Sequence, residues 1–217
     1  MEGIAHIISS YNASWSGWVM LFLLLFAIVG EYMQPGIITQ AYQSLRPRIE
    51  RVYKDAPNNI LSQILITFFR IGTLAMALCL CFAEEATFSF AAFAAVSGLI
   101  VAVLMVKMLC NALVDYTFIL SRRFMPIYEH YANIFTLTTC ILYPCLLVLL
   151  RVGNEMAVRW VLGIVTIFFV TLWIYRSART FIQSPLAIIY FLLYIVTLEV
   201  LPIGALLYFA SKTITLI

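Results

Sequence analysis

Three ionisable side chains, Arg70, Lys107 and Glu199, sit deep inside segments that are otherwise hydrophobic enough to cross a bilayer. A charge at mid-membrane costs about 2.5 to 3.5 kcal/mol on insertion scales, so such a residue faces a protein interior or an aqueous cavity and finds a partner there. A chain of this kind has to close into a helix bundle whose interior tolerates polarity. Its composition agrees. Hydrophobic residues fill 64% of the 217 positions and charged residues only 11%, against roughly 25% charged in an ordinary soluble domain. The reading is an all-α, polytopic transmembrane bundle, one membrane domain over residues 1–217 with no room for a soluble one.

Hydropathy predicts six spans, at about 15–32, 60–82, 88–120, 130–150, 160–175 and 186–210. The fifth is the shortest relative to the roughly 20 residues that a crossing needs, although Trp160 and Trp173 stand where interfacial aromatics belong. The first span reads as retained rather than cleaved, because Glu2 and no Lys or Arg precede it and no small-residue cleavage site follows. Basic residues set the expected orientation. Arg46, Arg48, Arg51 and Lys54 follow span one, Arg122 and Arg123 follow span three, and Arg176 and Arg179 follow span five. The other side has Arg151, Arg159 and Lys212. Both termini are expected outside the cytoplasm.

The 33–59 segment is the one extended polar stretch, and it reads as an interfacial segment on the cytoplasmic side. Ile49, Val52 and Tyr53 alternate at helical spacing with Arg46, Arg48 and Arg51, so a short helix there can lie on anionic headgroups. The simpler reading of Arg46, Arg48, Arg51 and Lys54 is a positive-inside anchor. Four cations this close to the bilayer do not make a nucleic-acid site.

Catalytic chemistry finds little to stand on. Cys79, Cys81, Cys110, Cys140 and Cys145 all fall within spans with no CxxC spacing, and His6 and His130 belong to no HExxH motif. No metal and no cofactor is expected. GxxxxGK[ST], GxGxxG after a strand, GxSxG and EF-hand patterns are absent from the sequence. The expectation is a non-enzymatic protein.

Depth groups the buried charges. At 1.5 Å per residue, Arg70, Lys107 and Glu199 each lie on the order of 18 to 21 Å from the cytoplasmic helix ends, so two cations and a carboxylate share one level. Lys107, Asn111 and Asp115 follow at i, i+4 and i+8, a polar stripe on one helical face. These residues either clip helices together or border a substrate, ion or proton path. Pro144 and Pro202 each remove one helical hydrogen bond and are expected to kink their helices near these groups. Ala94, Gly98 and Ala102, four apart, form a small-residue surface that permits close helix contact within the bundle or between protomers.

The last span carries a resemblance. Tyr190-Phe191-Leu192-Leu193-Tyr194-Ile195-Val196-Thr197-Leu198-Glu199-Val200-Leu201-Pro202 resembles the C-terminal signature of an uncharacterised integral-membrane family of Bacteroidota, whose members end in a similar "LY…TLE.LP" helix. It extends more loosely back to about Tyr53, through Asn59 to Phe69 and the region around Tyr143-Pro144. The resemblance implies a bacterial inner membrane and picks out Glu199 and Pro202. Since that family is a domain of unknown function, it brings no reaction with it.

Two function classes stay open. One is an accessory or scaffold component in cell-envelope biogenesis or secretion, with membrane lipids, other membrane proteins or a second copy as partners. The other is a small transporter or proton-coupled carrier built around the Arg/Lys/Glu cluster, which the lack of a clear internal repeat weakens. The topology has a direct check: cysteine-accessibility labelling at Ser44 and at Ser211 is expected to report opposite sides of the membrane, and same-side labelling sinks the six-span arrangement.

Overall fold

A backbone surrounded by hydrocarbon has to satisfy its own N–H and C=O groups, and the helix does this within a single segment. The computed structural model describes residues 14–43, 59–82, 89–118, 121–152, 155–181 and 201–216. Among these, all regular structure is helical: α1 Ser14–Met33, α2 Ile37–Gln43, α3 Ile60–Phe82, α4 Phe90–Phe118, α5 Ser121–Val152, α6 Glu155–Phe181 and α7 Leu201–Leu216. Starts are marked by short polar residues. Leu61 N–H donates to Asn59 Oδ1 at 3.2 Å, and Ala92 N–H donates to Ser89 Oγ at 3.2 Å, each satisfying an N–H that the first turn leaves without a helical acceptor.

Among the described residues four stretches are long and apolar enough to cross a membrane: Trp15–Met33, Ile60–Phe82, Phe90–Cys110 and Ala132–Leu150. They match the first four expected spans and fit a membrane protein. The apolar parts of α6 and α7, Trp160–Leu172 and Leu201–Ile214, are shorter. Much of the sixth expected span, residues 186–200, lies outside the described residues, as do 44–58 with Arg46, Arg48, Arg51 and Lys54. Two helices outrun their expected spans: α5 begins at Ser121, well before the expected His130, and α6 runs Glu155–Phe181 where 160–175 is expected. Hydropathy locates the apolar part of a helix, and backbone hydrogen bonding carries the helix further into its polar end.

The most intimate contact is between α1 and α3. Ser16, Met20, Leu23, Ala27, Gly30 and Gln34 are buried, and their alternating spacing of four and three residues draws one seam down α1, the pattern by which side chains of two near-antiparallel helices interdigitate. Glycine brings the backbones together. A Cβ on Gly30 would lie 2.9 Å from Ile66 Cδ1, and one on Gly72 would run into the Leu23 side chain. At that closeness Ser62 Oγ donates to the Gly30 carbonyl at 2.7 Å.

α3 is the hub, packing against α1, α4, α5, α6 and α7. Its Phe69, Met76, Ala77 and Leu80 join Met20, Leu23, Leu142, Tyr143 and Leu146 in one apolar cluster between α1, α3 and α5. The other flank, Ile71, Ala75, Leu78 and Cys79, meets Val96 and Ile100 of α4 and Ala210 and Ile214 of α7. Tyr143 is buried with its ring centroid 5.6 Å from that of Phe69, and its hydroxyl donates to the Met20 carbonyl at 2.8 Å. This bond ties α5 to α1 and is worth about 1 kcal/mol net.

Close approach gives a contrast that can be measured. Gly72→Val is expected to cost about 1 to 3 kcal/mol in thermal unfolding of the purified protein because Leu23 has to move. Gly98→Val, where an added Cβ meets nothing within 4 Å, is expected to stay within about 0.5 kcal/mol. Equal effects would contradict the α1–α3 seam.

Candidate functional site

The seam on α1 ends in polar residues. Pro35 has no N–H with which to continue the helix, and Gly36 turns the chain with φ 94°, a left-handed conformation that costs other residues roughly 1 to 2 kcal/mol. Across this turn Glu31 folds forward. Gly36 N–H donates to Glu31 Oε1 at 2.7 Å and Ile38 N–H donates to Oε2 at 3.0 Å. One carboxylate thereby closes the corner and caps the first turn of α2 with two charge-assisted hydrogen bonds. The fixed corner lays α2 against α5, with Ala41 buried.

Gln34 continues the seam beyond Gly30 and so is aimed into the bundle. It is 7% exposed, and its Oε1 is buried with no hydrogen-bond donor among the described residues. Arg70 is half-buried on α3 with Nε inside the protein. From α5, the half-buried Cys140 thiol lies within electrostatic range of both the Arg70 guanidinium and the Glu31 carboxylate. Three helices thus bring an anion, a cation and a thiol to one neighbourhood. Above it, the hydroxyls of Thr136 and Thr139 are turned to their own helix, donating to Ala132 O at 2.8 Å and Phe135 O at 3.0 Å.

The expected site residues divide accordingly. Arg70 belongs to this neighbourhood. Lys107, half-buried, continues the line of Val96 and Ile100 on α4, since eleven residues are close to three full turns. That places it on the face that packs against α3 and α7. Asn111 and Asp115 follow on the α4 backbone, but their side chains lie outside what is described, and Glu199 lies wholly outside the described residues. Pro144 is exposed within a continuous α5; lacking an N–H, it withholds the usual helical donor from the Cys140 carbonyl. Pro202 stands in the first turn of the described α7.

Glu31 and Gln34 were not anticipated. The signal for Gln34 was present in the four-three spacing of the α1 seam. That for Glu31 was a carboxylate just ahead of a Pro-Gly break, which matters only once the chain doubles back.

A family model for a domain of unknown function, DUF4271, matches residues 16–210. The chain belongs to this family. The DUF4271 region takes in α1 from its third residue, the Glu31 corner, Arg70, Lys107, Cys140 and Glu199, and ends within α7. No curated protein and no solved structure matches the chain.

A double-mutant cycle tests the pairing expected from depth. Glu199→Gln, Arg70→Gln and Lys107→Gln are each expected to cost on the order of 3 to 5 kcal/mol by leaving a partner buried, with part recovered when the paired cation and carboxylate are removed together. Additive losses in both cycles, read by thermal stability in detergent, refute it. Glu31→Gln is expected to cost about 1 to 2 kcal/mol through the weakened corner, and an unchanged melting temperature would show that the clasp is dispensable.

Proposed function

We propose that the protein is a non-enzymatic, six-span component of a bacterial inner membrane, with both termini outside the cytoplasm, acting as an accessory or scaffold subunit in envelope biogenesis or secretion. The observation that supports this reading is the state of α4. Only 11% of its apolar crossing Phe90–Cys110 is buried inside the molecule, against 56% for Ile60–Phe82. Ala94, Gly98 and Ala102 are all exposed, and the space beside Gly98 is open. Small residues in a row let another helix come close enough for backbone contact, which is how membrane helices associate when both face lipid of equal apolarity. Lateral association through α4 is the part such a subunit needs.

A second reading, a small transporter or proton-coupled carrier, draws on the meeting of Glu31, Arg70 and Cys140 and on the register of Lys107. Ionisable residues gathered between membrane helices commonly mark ion and proton routes.

Purification in mild detergent followed by mass spectrometry separates the two. The scaffold reading expects a stoichiometric membrane-protein partner that Gly98→Leu releases while leaving the melting temperature of the protein itself unchanged. Purification alone, together with uptake of a solute by proteoliposomes, would replace it with the carrier reading.

A further inference from the structure

α1 and α5 both pack on α3 and share one apolar cluster there, yet their own backbones scarcely approach one another. α3 is therefore the floor of a groove, with α1 and α5 as its walls. One tie across it is the Tyr143 hydroxyl on the Met20 carbonyl. Another is α2, which leaves α1 at Pro35-Gly36 and packs on α5. The apolar hold on α2 is slight. Ala41 is its fully buried side chain among the described residues, Ile37 and Ile38 are half-buried, and Thr39 and Tyr42 are exposed, so little apolar surface secures it to α5. Its first turn is held instead by the Glu31 carboxylate, which accepts from Gly36 N–H at 2.7 Å and from Ile38 N–H at 3.0 Å.

We propose that α2 is a hinged strap, latched by Glu31, that controls access to the Arg70 and Cys140 neighbourhood in the groove between α1 and α5. The hinge is the Pro35-Gly36 corner. Pro35 breaks the helical ladder, and Gly36, at φ 94°, can exchange its left-handed conformation for a right-handed one without the steric cost that other residues meet. Hinges are built this way, from a few residues between packed elements that absorb a large dihedral change. The latch is Glu31, because hydrogen bonds to a charged group are roughly twice as strong as neutral ones and two of them converge on this one side chain. The same carboxylate defines what the strap guards. Cys140 packs against the cluster that fills the groove, and its thiol is within electrostatic range of both Glu31 and Arg70, so the latched turn lies in their neighbourhood. An element with few buried apolar contacts opens locally at low free energy, well before the bundle does, and releasing one side chain therefore frees α2 alone. This inference does not rest on the scaffold reading, which uses α4.

The test uses the full-length protein in nanodiscs and reads, by peptide mass spectrometry, how fast a water-soluble methanethiosulfonate modifies Cys140 and Cys79. Cys79 is buried in the other cluster, among α3, α4 and α7, and reports loosening of the whole bundle. Glu31→Gln is expected to raise the Cys140 rate by about tenfold or more through the weakened latch, with Cys79 unchanged. Replacing a carboxylate also alters the charge that the thiol feels, so a second variant keeps Glu31. Ala41→Leu prises α2 from α5 by overpacking and is expected to raise the Cys140 rate in the same direction, again without Cys79. No change in either variant overturns the strap. A rise in Glu31→Gln alone overturns it as an effect of charge, and a rise in Ala41→Leu alone leaves Glu31 no part as the latch. An equal rise at Cys79 overturns it too, since the corner would then hold up the bundle rather than a movable piece of it.

Discussion

Everything in this bundle depends on how closely α1 and α3 approach. In a membrane the lipid is as apolar as the side chains, so contact between helices gains little from hiding them and depends on fit. Gly30 and Gly72 supply the fit by leaving room for Ile66 and Leu23, and Ser62 reaches the opposite backbone only because the gap is that small. With α1 held there, Tyr143 can reach the Met20 carbonyl from α5, and the polar end of the seam is carried to where Arg70 and Cys140 stand.

The same shortage of water governs the corner after Met33. A helix ending near hydrocarbon has to dispose of its last carbonyls and of the first N–H groups of whatever follows. Glu31 settles the second half of that problem with one carboxylate, and Gly36 makes the geometry reachable. The first half has no backbone donor among the described residues, since Pro35 has no N–H and Gly36 and Ile37 donate elsewhere. The carboxylate that shapes the turn is also felt by the Cys140 thiol of α5.

Much of this was legible in the chain. Apolar length alone gave the four long helices, because a membrane-scale run has few other uses, and the rarity of Arg70 inside such a run marked it for polar surroundings. Its neighbours were not legible. Cys140 is distant in sequence, and nothing local says that α5 rather than α4 faces Arg70; that follows from which sides of α3 carry Phe69 and Met76 and which carry Ile71 and Ala75. Depth along the helix axis can be counted from residue numbers, whereas direction around it has to come from packing. Lys107 shows the limit well, since the depth it is expected to share with Arg70 does not decide which partner face it occupies. The role of Glu31 was hidden for another reason, being created by a reversal of the chain that hydropathy does not record.

The two apolar clusters also differ in when their parts become available during synthesis. The α1–α3 seam needs only the chain up to Phe82, so these helices can pack as a hairpin before α5 is present, and Leu142 to Leu149 of α5 then seal that side. The other flank of α3 waits far longer. Val96 and Ile100 follow α3 closely in the chain, whereas Ala210 and Ile214 lie far downstream of them. A chain truncated before α7 would therefore keep a sound first cluster with an unfinished second one.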